Sequence, residues 1–159
     1  MRHVAAGACA IVLMAAASAA AQDTSEKADA LSAAARKGDA AAVRKLLDEG
    51  VDVNTKFRYN RTALSFAADR GHVEVVKLLL DRGADVNVKD TFYGATALTW
   101  AVSPAMDRTA KHTEVVELLL KRGGIPAADL TDALESATRE KLPDVVALLE
   151  KAGAKRKDK

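Results

Sequence analysis

The chain has 159 residues, with 24 Lys and Arg against 22 Asp and Glu, a formal net charge of +2 and a single Cys. That balance excludes bulk electrostatic attraction to nucleic acid as the main function. One Cys excludes a disulfide framework and a thiolate metal cage, and the length is enough for one domain.

Residues 1–21, MRHVAAGACAIVLMAAASAAA, are unlike the rest. Arg2 follows the amino terminus, Val4 to Ala17 carries no charge, and Ala19-Ala20-Ala21 offers a small-residue cleavage site before Gln22. This is the layout of a secretory signal peptide. Ala17-Ser18-Ala19 is a second cleavage site. The competing reading is a buried or membrane-spanning helix, since the uncharged run approaches a span in length. It is mostly Ala, however, which anchors weakly. Cys9 follows Ala6-Gly7-Ala8, a faint lipoprotein box with too little hydrophobic sequence before it. Cleavage after Ala21 leaves 138 residues with a charge of about +1 and no Cys. The mature chain then relies on its core alone. An exported chain with no cysteine and no anchor is expected in the bacterial periplasm, or beyond the cell, and free of the membrane once cleaved.

Beyond about residue 25 the chain repeats itself. Leu31, Leu64, Leu98 and Leu134 correspond, as do Gly50, Gly83, Gly123 and Gly153. The pairs Leu46-Leu47, Leu79-Leu80, Leu119-Leu120 and Leu148-Leu149 follow the same order. The first copy precedes the second by 33 residues at both Leu31 and Gly50. In the second copy, Thr62 opens a short helix, and Gly71 and His72 close it and start another. That second helix carries Val75, Val76 and Leu78 to Leu80 and ends at Gly83. Helices of about three turns cannot bury an apolar stripe alone, so each unit needs neighbours.

This period and pattern resemble the ankyrin repeat. Its T-P-L-H-x-A opening is matched by Thr62-Ala63-Leu64-Ser65-Phe66-Ala67 and by Thr96-Ala97-Leu98-Thr99-Trp100-Ala101, without the Pro and His. The resemblance implies an all-α ankyrin-repeat solenoid of four helix–turn–helix units with short β-hairpin fingers. The units would span about 25–56, 57–89, 90–124 and 125–154, within a domain of residues 22–154 and before a charged tail, 155–159. It also implies a non-enzymatic protein-binding module that uses its fingers and inner helices.

In chain order, the first repeat reads as a cap, with Glu26, Lys27 and Asp29 on a polar outer face. Its outer helix should bury Val43, Leu46 and Leu47. The first finger, Thr55 to Arg61, carries Phe57, Arg58 and Tyr59, and Asn60 there tolerates a left-handed conformation. Glu74, Glu114 and Asp144 fall in the first turns of outer helices, where a negative charge is favoured. The second finger, Lys89 to Ala95, again places two aromatics, Phe92 and Tyr93, at its tip. Repeat three is longer: Leu98 to Val116 spans 18 residues where the other repeats span 12. The six extra residues lie within Val102 to Lys111, and Pro104 should end the inner helix. The insertion is either a binding loop or neutral drift in an exposed loop. Repeat four is degenerate and reads as the second cap, with Pro143 starting its outer helix.

Little in the sequence encodes catalysis. His72 and His112 both occupy the G-H position in separate repeats, with no H-E-x-x-H. G-x-S-x-G, G-x-G-x-x-G and the P-loop are absent, so neither a serine elbow nor a nucleotide cradle is encoded. No metal, cofactor or catalytic residue is expected.

The aromatics carry more information. Four of the six Phe, Trp and Tyr residues fall on fingertips, namely Phe57, Tyr59, Phe92 and Tyr93. Arg58 and Arg61 stand beside them, and Arg36, Lys37 and Arg70 end the inner helices. Aromatics and Arg dominate binding energy at interfaces. The expected partner site is therefore Phe57, Arg58, Tyr59, Arg61, Arg70, Phe92 and Tyr93, with a preference for an acidic protein. In the alternative, Phe57 and Phe92 fold back onto the array. Phe66 and Trp100 are read as wedged between inner helices. The expected role is a monomeric periplasmic binder that inhibits, or protects against, a partner enzyme. A stress-protection scaffold for a periplasmic assembly, such as an oxidative-stress enzyme, is the alternative.

Overall fold

A computed structural model describes residues 25–102 and 110–156. Residues 1–24, which include the expected signal peptide, residues 103–109 of the repeat-three insertion and residues 157–159 of the tail lie outside that range. Eight helices are described: α1 over residues 25–37, α2 Ala40–Asp48, α3 Ala63–Asp69, α4 Val73–Asp81, α5 Ala97–Val102, α6 Ala110–Arg122, α7 Ala127–Arg139 and α8 Pro143–Lys151.

The helices stack in two rows. The inner helices α3, α5 and α7 pack in succession, as do the outer helices α2, α4, α6 and α8. Each inner helix also packs on its own outer helix. This is the α-solenoid of ankyrin repeats. Its core repeats with the sequence: Leu31, Leu64, Leu98 and Leu134 are essentially inaccessible, as are Leu79, Leu119 and Leu149.

Local chemistry sets the helix starts. The Thr62 hydroxyl accepts from the Ser65 N–H, and the Ser65 hydroxyl accepts from the Thr62 N–H, a reciprocal cap. Asp39 caps α2 through the Ala42 N–H. Pro143 opens α8, where its missing N–H costs nothing. Glu74 and Asp144 stand in the first turns of α4 and α8.

Neighbouring repeats are also joined by histidine. His72 Nε2 meets the Arg36 carbonyl at 2.9 Å, and His112 Nε2 meets the Asp69 carbonyl at 3.4 Å. The rings lie over Gly38 and Gly71, whose φ values are +78° and +67°. A Cβ there would come within 2.6 Å of the His72 ring and 3.0 Å of the His112 ring, so only Gly fits.

Three expectations change. In α2 only Val43 is buried, whereas Leu46 and Leu47 are half-buried. Among the described outer helices α2 packs on α4 alone, while α4 has α2 and α6 on its two sides. Glu114 is not in a first turn, because Ala110, Lys111 and His112 are already helical. Finally, no strand occurs among the described residues. The two fingers are turns, each closed by one backbone hydrogen bond, Phe57 N–H to the Arg61 carbonyl and Asp90 N–H to the Ala95 carbonyl, and the second is reinforced by the Asp90 carboxylate.

Candidate functional site

The first finger is a single tight turn. The Phe57 N–H donates to the Arg61 carbonyl at 2.8 Å, and the Asn60 N–H donates to the Phe57 carbonyl at 2.9 Å. Between them Arg58–Asn60 forms a 3₁₀ turn, with Tyr59 and Asn60 at φ of 60° and 58°. A Tyr in that region is strained and persists only where its surroundings hold it. The second finger does so: the Thr91 N–H donates to the Tyr59 carbonyl at 2.9 Å, and Asn60 Nδ2 donates to the Lys89 carbonyl at 2.7 Å.

The second finger is built around Asp90, which is buried. Its carboxylate accepts from the N–H groups of Phe92, Tyr93 and Ala95 and from Trp100 Nε1, at 2.8, 2.6, 3.2 and 3.0 Å. Hydrogen bonds to an ionised carboxylate are short and strong. They fold the tip so that Phe92 and Tyr93 stand outward, 63% and 71% exposed. Tyr59, 46% exposed, lies edge-on to Phe92 with 5.5 Å between ring centres. Phe92 meets Tyr93 at 4.5 Å, and Tyr93 meets Trp100 at 5.8 Å. These edge-to-face contacts suit aromatic quadrupoles and make one aromatic edge across two repeats.

Arg61 lies inside this arrangement. Its guanidinium sits between Phe66, at 4.3 Å, and Trp100, at 4.1 Å. Arg61 Nη2 donates to the Ser65 carbonyl at 3.2 Å and to Asp69 Oδ2 at 3.1 Å. Both charged side chains are mostly buried, and Arg61 Nε finds no partner. A cation placed so between two rings acts as a spacer that joins repeats.

The expected site residues therefore divide. Arg58, Tyr59, Arg70, Phe92 and Tyr93 are exposed, whereas Arg61 is largely buried. Phe57 is half-buried, tilted against Phe66 at 6.0 Å. Phe66 is buried and Trp100 half-buried. Arg36 joins the group, with its guanidinium over Phe66 at 4.0 Å. Arg58 lies over Tyr59 at 4.9 Å.

Two clefts result. One, of about 320 Å³, is lined by Arg36, Arg58, Tyr59, Arg61, Phe66, Asp69 and Arg70. The other, of about 220 Å³, is lined by Tyr59, Arg61, Asp90, Phe92, Tyr93 and Trp100. Tyr59 and Arg61 form their shared wall. Asp69 pairs with Arg61, while Arg36, Arg58 and Arg70 form no ion pair among the described residues. No group of three or more His, Cys, Asp or Glu placed to hold a metal occurs among the described residues.

Asp90, Asp69 and Trp100 were not singled out as site residues from sequence. Asp90 carried a signal: it stands 33 residues after Phe57, one repeat on, where finger one lacks a carboxylate.

The sequence matches a model of ankyrin repeats in three copies over residues 1–90 and a model of ankyrin repeats in many copies over residues 64–120. The chain belongs to the ankyrin repeat family, and its repeats make it a protein–protein interaction module. Proteins of this kind are generally non-enzymatic scaffolds. No curated protein matches the chain. No described helix is long and apolar enough to cross a membrane.

Proposed function

We propose that the chain is an exported, monomeric binding protein that grips a partner enzyme in the periplasm and inhibits it or guards against it. One observation carries the reading: Tyr59, Phe92 and Tyr93 form an exposed aromatic edge beside three arginines that have no ion-pair partner among the described residues. Exposed aromatics joined into a patch are unusual on a surface that only needs to stay soluble. Aromatic and Arg side chains supply most of the energy at protein interfaces. Asp90 and the inter-finger hydrogen bonds hold the edge in place before any partner arrives, which lowers the entropic cost of binding.

The test is capture from periplasmic extract with the chain recovered after export, alongside a variant carrying Tyr59→Ala, Phe92→Ala and Tyr93→Ala. A protein retained by the first and lost from the second supports the edge, and its activity is then assayed with and without the chain. Equal retention by both baits moves the contact surface elsewhere, first to the insertion of repeat three. A retained partner whose activity is unchanged or stabilised makes the chain a scaffold.

A further inference from the structure

The two clefts differ in chemistry but share a wall. The first is cationic: among the described residues, only Arg61 of its four arginines is neutralised, by Asp69 at 3.1 Å. The second is faced by four rings, with Asp90 occupied by backbone donors and Trp100 Nε1. At about 220 Å³ it lies below the range of roughly 300–1,000 Å³ typical of small-molecule pockets. It suits one large side chain.

We propose that the clefts form one bipartite site for an acidic peptide segment of the partner. A carboxylate side chain enters between Arg36, Arg58 and Arg70, and an adjacent aromatic or large aliphatic side chain enters between Tyr59, Phe92, Tyr93 and Trp100. This rests on the fingertip edge being the contact surface and adds which partner chemistry it selects.

Charge complementarity supports that occupant. Three guanidiniums in one cleft that no described carboxylate pairs favour a carboxylate, and Arg presents donors in the forked geometry that carboxylates accept. The shared wall of Tyr59 and Arg61 requires the acidic and apolar groups to be close, within a residue or two of extended chain at about 3.5 Å each. Nucleic acid fits less well. Its affinity comes from a run of phosphate contacts, whereas these cations are confined to one cleft, and Asp69 and Asp90 line the two clefts.

Trp100 is the only Trp in the chain and faces the apolar cleft, so its fluorescence reports occupancy directly. The exported chain is titrated with the blocked peptide Gly-Asp-Glu-Phe-Gly, with the same peptide carrying Lys-Lys for Asp-Glu, and with one carrying Ala for Phe. Saturable change is expected with the first, and at least tenfold weaker binding with the other two. In an Arg58→Glu/Arg70→Glu variant with an unchanged circular dichroism spectrum, the preference between the acidic and Lys peptides should reverse. A merely structural role for the arginines would not produce that reversal. Equal response to the acidic and Lys peptides, no response to any peptide, no effect of the variant, or stronger binding of a thymidine decamer each overturns the proposal. Partner capture that depends on Tyr59, Phe92 and Tyr93 but not on Arg58 and Arg70 would retain the edge as contact surface and discard this ligand chemistry.

Discussion

The Arg61 guanidinium lies 4.1 Å from the centre of the Trp100 ring, so a residue that ends one finger is held by the inner helix of the next repeat. Phe66 closes the other side at 4.3 Å, and Asp69 pairs with the cation at its end. Arg61→Ala removes a partly desolvated cation–π stack and leaves a mostly buried carboxylate unpaired. The expected loss is about 2–4 kcal/mol of unfolding free energy, read by urea denaturation. A loss under about 0.5 kcal/mol, the scale of an ordinary surface change, would make Arg61 a contact residue only.

Asp90 organises the second finger through four donors. Asp90→Ala should cost about 2–4 kcal/mol, since hydrogen bonds to a charged group are each worth about 1.5–3 and do not add fully. Amide hydrogen exchange at Phe92, Tyr93 and Ala95 should accelerate with it. Unchanged exchange there would show that the tip holds itself.

Much of the fold was legible because repetition compounds weak signals. Leu31, Leu64, Leu98 and Leu134 fill equivalent core positions, and Thr62, Gly71 and Pro143 bound helices as their chemistry dictates. The candidate site was legible only in part. Exposed Phe92 and Tyr93 could be anticipated from finger position, but Arg61 could not be told from Arg58 in the same turn. Their difference is set by which one α3 and α5 enclose, a tertiary matter. Likewise, a hairpin finger was expected from the family, yet each finger is a turn closed by one backbone hydrogen bond, with the Asp90 carboxylate bracing the second and positive φ at Tyr59 and Asn60 tightening the first. That Ala110 and Lys111 are already helical was hidden because length alone does not say whether extra residues extend a helix or a loop.

The ion pair of Lys89 with buried Asp129, at 2.6 Å, ties the second finger to α7. Its hydrogen bond and charge attraction raise the Lys89 pKa above its ordinary value of 10.5. The charged form is thus favoured in the folded state, so the contribution is fully present below the ordinary value of 10.5 and is lost as pH rises through the folded value. The stability difference between the chain and Lys89→Gln should stay constant through neutral pH and shrink only under strongly alkaline conditions. A difference that shrank on acidification from neutral pH toward 6 would contradict this.

The proposed signal peptide makes a separate prediction. Expressed whole in a Gram-negative host, the chain should be recovered from the periplasm beginning at Gln22, or at Ala20 if the earlier site is used. Amino-terminal sequencing checks it. Recovery of intact chain with Met1 in the membrane fraction would favour an anchor.

The central claim is that the aromatic edge across the two fingers is the contact surface. Its most direct test is the dissociation constant of the captured partner for the chain and for the Tyr59→Ala/Phe92→Ala/Tyr93→Ala variant, by calorimetry, with unfolding followed in parallel. The account predicts binding weakened at least tenfold, as expected for losing more than about 1.4 kcal/mol of interface energy. Unfolding free energy should stay within about 1 kcal/mol, because these rings are largely exposed. An unchanged dissociation constant in a folded variant would contradict it.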